Sequence, residues 1–362
     1  MSEIKSLYVE MVIPQLAEKG GLDRIINDLA EHLSHKADLE FHVVQLVDTG
    51  LKWWNDHALP TNLFKAQDDP SFMDTAHAYA AYLQGLERAP DVIMATGWPI
   101  TVTIAREAIR QAGIRTVLVA YPHMTLQEGE EKGVGGVACI KDADVAFAIS
   151  PQVETEIRNG GLSLRTLRVN NGIRMPKSLT DRGKPGCTHK LLYVGRLVEG
   201  KNLPMVFRAM AYTKEPWSLQ IAGQGELEKT KEQAAIFGVS DRVEFCGFLN
   251  DPYADAEEIS FVIMPSNYEG FCMVIPEALS RGIPVITTPV GCATEVIKPG
   301  ENGYLVNIDD ATMLSQILDM IAEEKLPIPD PTVCRASVDA YELRHAMEHI
   351  YNELLKLGKE GG

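Results

Sequence analysis

The sequence has 362 residues, 45% of them apolar and 23% charged, with 29 glycines and 20 prolines. That is the make-up of a folded chain long enough for about two domains, and it excludes a disordered, fibrous or single small module. With 34 Lys and Arg against 50 Asp and Glu the formal charge is −16, and both halves are acidic. An extended nucleic-acid surface is therefore disfavoured, which leaves room only for a local basic cluster holding one phosphorylated ligand.

The six cysteines, Cys139, Cys187, Cys246, Cys272, Cys292 and Cys334, stand at least 20 residues apart and form no CxxC pair, a pattern that suits a reducing cytoplasm. Lys5 precedes an apolar run, but Glu10 interrupts it and no cleavage site follows, so no signal peptide is expected. No stretch approaches the roughly 18 apolar residues that a membrane span needs. The expectation is a cytoplasmic protein, in solution or at the inner face of the membrane.

In chain order, short β-branched runs alternate with helical patterns, the sequence form of repeated βα units and hence of parallel sheets covered by helices. Strands are predicted at Ser6–Ile13, Phe41–Val47, Asp91–Ala95, Thr116–Ala120 and Val145–Ser150. A helix is predicted over Leu22–Leu33, where Ile25, Ile26, Leu29, Ala30 and Leu33 recur at three and four residues and form one apolar stripe. Residues 175–189, with two Pro, two Gly and few apolar residues, read as a linker. It separates an acceptor-side domain at 1–174 from a second domain at 190–336.

The rhythm restarts with strands at 191–194, 217–222, 243–245, 261–264, 285–286 and 304–306, and with helices at about 203–212, 226–237, 273–281 and 311–323. A terminal helix is expected from Ser337 to Leu355 within a crossover segment at 337–362. The fold class is α/β: two doubly wound Rossmann-like domains, with a cleft facing the C-terminal ends of both sheets.

Two segments carry candidate chemistry. Ser266–Ala278 reads SNYEGFCMVIPEA, with Glu269 in a loop and Glu277 inside the following helix. Pro276 fits only near a helix start, which places that start near Met273. Its free N–H groups make an anion site, and Gly270 lets a ligand approach the backbone. Two carboxylates then flank the site, one for sugar hydroxyls and one for a ribose, although a bare pair of glutamates at this spacing is more often a cap and a solvated face. In the second segment, Val194–Asn202, Arg196 ends a strand and Lys201 enters a helix, where both can converge on a diphosphate.

Joined in order, these blocks form a longer series: Gly195-Arg196-Leu197 with Lys201-Asn202, Ala222-Gly223-Gln224-Gly225, Arg242-Val243-Glu244-Phe245-Cys246-Gly247, Pro265-Ser266 with Glu269-Gly270-Phe271 and Glu277, Gly282-Ile283-Pro284, and Glu295 with Asn302-Gly303. The series resembles the family 4 retaining glycosyltransferases, whose E-x7-E signature the two acids match, and within them bacterial enzymes of lipopolysaccharide core or exopolysaccharide synthesis.

The resemblance implies a GT-B architecture and transfer of a hexose, with retention, from a nucleotide sugar to a glycan or lipid-linked acceptor. UDP is the default base, and neither a metal nor a further cofactor is implied. Arg196, Lys201 and the helix start at Cys272 and Met273 would stabilise the leaving diphosphate. Glu269, with Gly270 and Phe271, would hold the sugar and Glu277 the ribose. Gly195 and Gly223 would approach the donor, Val243 would line the base pocket, and Phe248 and Leu249 would add backbone contacts. In the first half, Gly20-Gly21 matches the glycine pair near the diphosphate, and His123 in Tyr121-Pro122-His123 matches the family's cleft histidine. Arg174 and the segment Asp339-Ala340-Tyr341-Glu342 depart from the family pattern.

Competing motifs are weaker. Gly223-Gln-Gly225 lacks the third small residue of a dinucleotide fingerprint, since position 228 is Glu. Asp142-Ala-Asp144 has metal-binding spacing but precedes a strand. His345-Ala-Met-Glu348-His349 fits a zinc-peptidase pattern, and the alternative is the polar face of a terminal helix. The rival functions are a nucleotide-sugar epimerase of the same architecture, a non-catalytic subunit of a transferase complex and, weakest, a peptidase. Replacing Arg196 or Lys201 by Ala is expected to weaken diphosphate binding and to leave the fold intact.

Overall fold

The computed structural model describes residues 6–14, 21–48, 61–65, 68, 70–180, 189–254 and 258–361. They form two compact units, one running to Gly172 and resuming at Leu343, the other covering residues 173–342. Gly20 and most of the predicted linker, residues 181–188, lie outside the described residues.

The first unit is built on seven strands: β1 (Leu7–Ile13), β2 (Leu39–Asp48), β3 (Thr61–Lys65), β4 (Val92–Gly97), β5 (Val117–Pro122), β6 (Val145–Ala148) and β7 (Arg165–Arg168). Their spatial order is β3-β2-β1-β4-β5-β6-β7 and every pairing is parallel. The sequence reading omits β3 and β7. Both are edge strands, TNLFK and RTLR, with no fully buried residue, and polar edges of this kind carry no hydrophobic run to detect. The helix Gly21–Ser34 buries Ile25, Ile26, Leu29, Ala30 and Leu33, the stripe read from its spacing. Each buried Ile or Leu among them contributes about 1.5 to 3 kcal/mol of transfer free energy.

The predicted terminal helix is interrupted. Residues Pro331–Ala336 form one short helix and Asp339–Tyr341 a 3-10 turn, and Glu342 is extended (φ −56°, ψ 134°) before the helix Leu343–Gly361 begins. That last helix belongs to the first unit. Its H-x-x-E-H residues are engaged in packing. The Glu348 carboxylate meets Lys36 at 2.5 Å and His32 at 3.2 Å, and His349 Nε2 lies 3.0 Å from the Arg168 carbonyl oxygen. Asp144 is likewise structural: it accepts the Leu118 N–H at 2.8 Å and pairs with Arg106 at 2.9 Å, just before β6.

The second unit has six parallel strands: β8 (Lys190–Val194), β9 (Ser218–Ala222), β10 (Val243–Gly247), β11 (Phe261–Met264), β12 (Val285–Thr287) and β13 (Gly303–Leu305). They lie in the order β10-β9-β8-β11-β12-β13. Strands β8, β11 and β12 are buried almost throughout, the continuous apolar runs of a sheet covered on both faces. No helix among the described residues is long and apolar enough to cross a membrane.

One strand breaks its apolar run with a charge. Glu10, in the middle of β1, has no solvent exposure. Tyr8 donates its hydroxyl to the carboxylate at 3.3 Å and Tyr79 donates from the helix Phe72–Gly85. Burial pushes the Glu10 carboxyl up to about 7, against the opposing effect of the phenol hydrogen bonds. Below about pH 4.5 the group is protonated in both states; between 4.5 and 7 the unfolded chain releases its proton and the folded chain keeps it, so stability falls as pH rises across that window. Glu10→Gln should remove this loss. Its melting temperature is expected to match the wild type near pH 4.5 and to exceed it above pH 7, by the equivalent of about 3 kcal/mol. Parallel melting curves for the two proteins from pH 4.5 to 8 would show that Glu10 does not titrate in this way.

Candidate active site

The strand order of the second unit reverses between β8 and β11. The chain leaves β8 outward to β9 and β10, returns to β11 beside β8, and continues to β12 and β13. In an open parallel sheet such a reversal splays apart the two loops at the C-terminal strand ends and leaves a crevice for a ligand. Here those loops are residues 195–202 and 265–273.

The two loops are tied together at several points. Asn267 donates its N–H to the Gly200 carbonyl at 2.9 Å, and Asn202 donates its side-chain amide to Asn267 Oδ1 at 3.0 Å. Asn202 sits in the left-handed region (φ 49°), which ends the 3-10 turn Glu199–Lys201 and starts the helix Leu203–Tyr212. Asparagine tolerates that conformation better than most side chains. Lys201 Nζ then meets Glu269 Oε1 at 2.5 Å, and Ser266 donates its hydroxyl to the same oxygen at 2.7 Å. The Lys201 and Glu269 side chains retain only 19% and 11% of their exposure. Burial alone would lower the Lys201 pKa, but the Glu269 charge and hydrogen bond outweigh it and hold the ammonium above its ordinary value.

Backbone contacts extend the site toward β9 and β10. A Cβ on Gly223 would stand 1.8 Å from the Gly195 carbonyl oxygen, so only glycine lets those two loops meet. Gly195 donates to Ala222 at 3.0 Å, Gly223 to Gly247 at 2.7 Å, and Leu197 to Gln224 at 2.7 Å. Arg196 is exposed at the tip, its carbonyl oxygen held at 2.8 Å by the Tyr193 hydroxyl. Its guanidinium forms no ion pair or hydrogen bond among the described residues.

After Glu269 the chain passes through buried Gly270 and Phe271 to Cys272, which is left-handed (φ 71°). The helix Val274–Ser280 follows, with Met273 at its cap and no side chain capping it. Glu277 lies in its first turn, where the helix dipole favours an anion. Gly291 (φ 58°) supports the loop from below, since a Cβ there would lie 2.4 Å from the Phe271 carbonyl oxygen. Cys292 donates its N–H to that same oxygen at 2.9 Å. Burial, reinforced by the Glu269 charge, pushes the Cys272 thiol well up, so it stays protonated.

The geometry thus gathers Gly195, Arg196, Lys201, Gly223, Glu269, Gly270, Phe271, Cys272, Met273 and Glu277 at one edge of one sheet. Phe248 and Leu249 follow β10 at that edge and are exposed. Val243 is not brought there. It is the first residue of β10, and in a parallel sheet that puts it at the opposite edge, roughly 13 Å of strand away from Gly247. The assignment of Val243 to a base pocket is corrected accordingly. Ser266 and Asn267 carry positioning contacts that the sequence reading leaves without a role; the available signal is a hydroxyl three residues before a loop glutamate.

In the first unit, Gly21 opens the helix Gly21–Ser34. His123 follows β5 and donates its backbone N–H to Gly97 at 3.0 Å. Its ring stands edge-on to Tyr121, with centroids 4.3 Å apart. Both ring nitrogens are buried without a hydrogen-bond partner among the described residues. Burial pushes its pKa down to about 3, so the imidazole is neutral at physiological pH.

Residues 176–333, nearly the whole of the second unit, match the family model described as glycosyl transferases group 1. Among curated relatives, the lipopolysaccharide 1,6-galactosyltransferase of Escherichia coli (strain K12) is 28% identical over 267 residues, 69% of this chain and 72% of that protein. Among solved structures, the apo form of the lipopolysaccharide outer core galactosyltransferase WaaB superposes with a TM-score of 0.84 at 20% identity, over 97% of this chain and 99% of that one. Anabaena HepE in complex with UDP-glucose superposes with a TM-score of 0.77 at 20% identity, over 96% and 99%. The protein is a glycosyltransferase with the two parallel-sheet α/β domains of the GT-B class. It is related to the lipopolysaccharide galactosyltransferases.

The expectation that Lys201 can be removed without cost to the fold does not survive this geometry. Lys201→Ala leaves Glu269 buried without its counter-charge, which costs roughly 3 to 5 kcal/mol where a buried pair is broken. The single variant should melt lower, and Lys201→Ala with Glu269→Ala should recover much of the loss while nucleotide affinity stays weak. A double variant melting as low as the single one would show that the pair is not the source of the stability.

His123 supplies a second prediction. The unfolded chain takes up a proton on this residue near pH 6.5 and the folded chain resists until about pH 3. Its contribution is full above pH 6.5 and falls as pH drops below that value. On going from pH 7 to pH 5 the wild type should lose about 2 kcal/mol more than His123→Phe, read as the difference in denaturant midpoints at the two pH values. Equal losses would place the ring in contact with solvent.

Proposed function

We propose that the protein transfers a hexose from a UDP-sugar to a hydroxyl of a glycan or lipid-linked acceptor in bacterial surface polysaccharide synthesis, with retention at the anomeric carbon and without a metal ion. The observation that carries this reading is the convergence of Arg196, Lys201 and Glu269 at the point where the strand order of the second unit reverses. The names of the relatives support the galactose and lipopolysaccharide context, and the UDP-glucose complex of a structural neighbour supports the base.

When the bond between the anomeric carbon and the β-phosphate oxygen breaks, negative charge grows on the diphosphate. The exposed Arg196 fork and Lys201 meet that charge, the role a metal plays elsewhere. An ammonium has three donors, so Lys201 can hold Glu269 with one and the phosphate with the others. Glu269 accepts from the sugar hydroxyls and Glu277 from the ribose. In the first unit, His123, neutral at working pH, has one ring nitrogen able to donate and one able to accept. The acceptor oxygen bonds to the face that the leaving phosphate vacates, and its proton passes to that phosphate.

The test supplies UDP-galactose and UDP-glucose with a deacylated core oligosaccharide, in EDTA, and reads the anomeric configuration of the product by NMR. An α-linked glycoside formed at an undiminished rate in chelator is expected, and Arg196→Ala should lower kcat/KM roughly tenfold to a hundredfold. An inverted product, a free epimer, or complete magnesium-reversible loss in EDTA would overturn the proposal.

A further inference from the structure

We propose that Ser266 is the positioning residue of the donor site: it fixes one oxygen of Glu269 so that the other is presented to the sugar. This inference rests on the donor reading above and deepens it. Ser266 is fully buried and donates its hydroxyl to Glu269 Oε1 at 2.7 Å. Lys201 occupies that same oxygen. Oε2 has no protein partner among the described residues.

A carboxylate with both bonds on one oxygen has its rotation about the terminal torsion blocked, and that torsion is otherwise broad. Lys201 alone does not achieve this, because an ammonium on a flexible stem follows the carboxylate wherever it turns. The serine does, because its own backbone is held. Thr288, also fully buried, donates its hydroxyl to the Ser266 carbonyl at 2.5 Å and its N–H to the Met264 carbonyl at 3.1 Å. The relay therefore runs from the end of β12, through Thr288 and Ser266, to Glu269 Oε1, and it leaves Oε2 as the free acceptor. Ser266 does not touch the donor; it acts through Glu269.

The experiment compares binding of UDP and of a UDP-sugar by calorimetry, together with turnover, for wild type, Ser266→Ala, Glu269→Ala and the double variant. Glu269 faces the sugar and not the nucleotide, so Ser266→Ala should keep its UDP affinity and melting temperature near wild type. Its preference for the UDP-sugar over UDP, and its kcat, should fall roughly tenfold to a hundredfold, the range of a hydrogen bond to a charged group. In the Glu269→Ala background the same serine change should cost nothing further, because the group it positions is gone. Ser266→Thr, which keeps the hydroxyl, should restore the preference.

The proposal alone is overturned by a Ser266→Ala protein with wild-type preference and turnover, or by losses that multiply fully in the double variant. A Ser266→Ala protein that loses UDP affinity and melting temperature together, with its preference for the sugar intact, would show a structural serine and overturn it as well. A wild type that binds UDP and the UDP-sugar equally, with no transfer, overturns the donor reading and this inference with it.

Discussion

The salt bridge between Lys201 and Glu269 joins the two loops at the point where the strand order of the second unit reverses. One loop leaves β8 and the other leaves β11, and 68 residues of chain separate the partners. Parallel strands place both loops on the same edge of the sheet, but nothing in the sheet itself fixes how far apart they stand. The ion pair and the Asn202 and Asn267 hydrogen bonds supply that distance. Burying two charges is costly, and their attraction offsets the cost only when geometry is good and the remaining polar valences are met. Ser266 meets one of them. A purely structural staple would be as stable with apolar residues, so retaining two charges here points to a site that uses them.

Electrostatics set the scale on which that use operates. A chain with formal charge −16 repels a diphosphate at long range, but screening confines that repulsion to about 8 Å at physiological salt. Inside that distance the local arrangement decides. Lys201 has its charge balanced by Glu269, whereas Arg196 is exposed and without an ionic partner among the described residues. Under the proposed donor reading, Arg196 presents the net positive charge that an incoming phosphate meets, and Lys201 adds directed hydrogen bonds once the ligand is seated. The two cations differ in kind: one attracts, the other orients.

Most of the fold was legible because parallel sheets covered on both faces must be written as apolar runs. Strands β8, β11 and β12 were read to within a residue or two on that ground alone. What escaped detection were the places where the apolar rule does not apply. Strand β3 and strand β7 are polar edges, and the terminal helix is interrupted at Glu342 by a single extended residue that no composition signal marks. Within the site, the ordered blocks identified which residues gather but not how they bond. Val243 shares a block with Gly247, yet the five-residue strand they bound carries one to the site and leaves the other at the far edge. The direct contact between Lys201 and Glu269 is not readable from the sequence either, because 68 residues separate them and each charge by itself suits a ligand as well as a partner.

Two glutamates make the final distinction between structure and function in this chain. Glu10 has no solvent exposure and the Glu269 side chain keeps only 11% of its own, but the two carboxyls are given different partners. Glu10 is surrounded by phenols and aliphatic strand, which hydrogen-bond a carboxyl without neutralising it, so burial raises its pKa to about 7. Its proton is the solution. Glu269 is given a lysine and a serine on one oxygen instead. A carboxyl serving only to fill a core has no need of its charge. One that must accept hydrogen bonds from sugar hydroxyls does, because a protonated acid offers a donor where an acceptor is required. The convergence of a counter-charge, a hydroxyl and a second hydroxyl behind it on the Glu269 side chain is what the proposed donor reading asks of that residue.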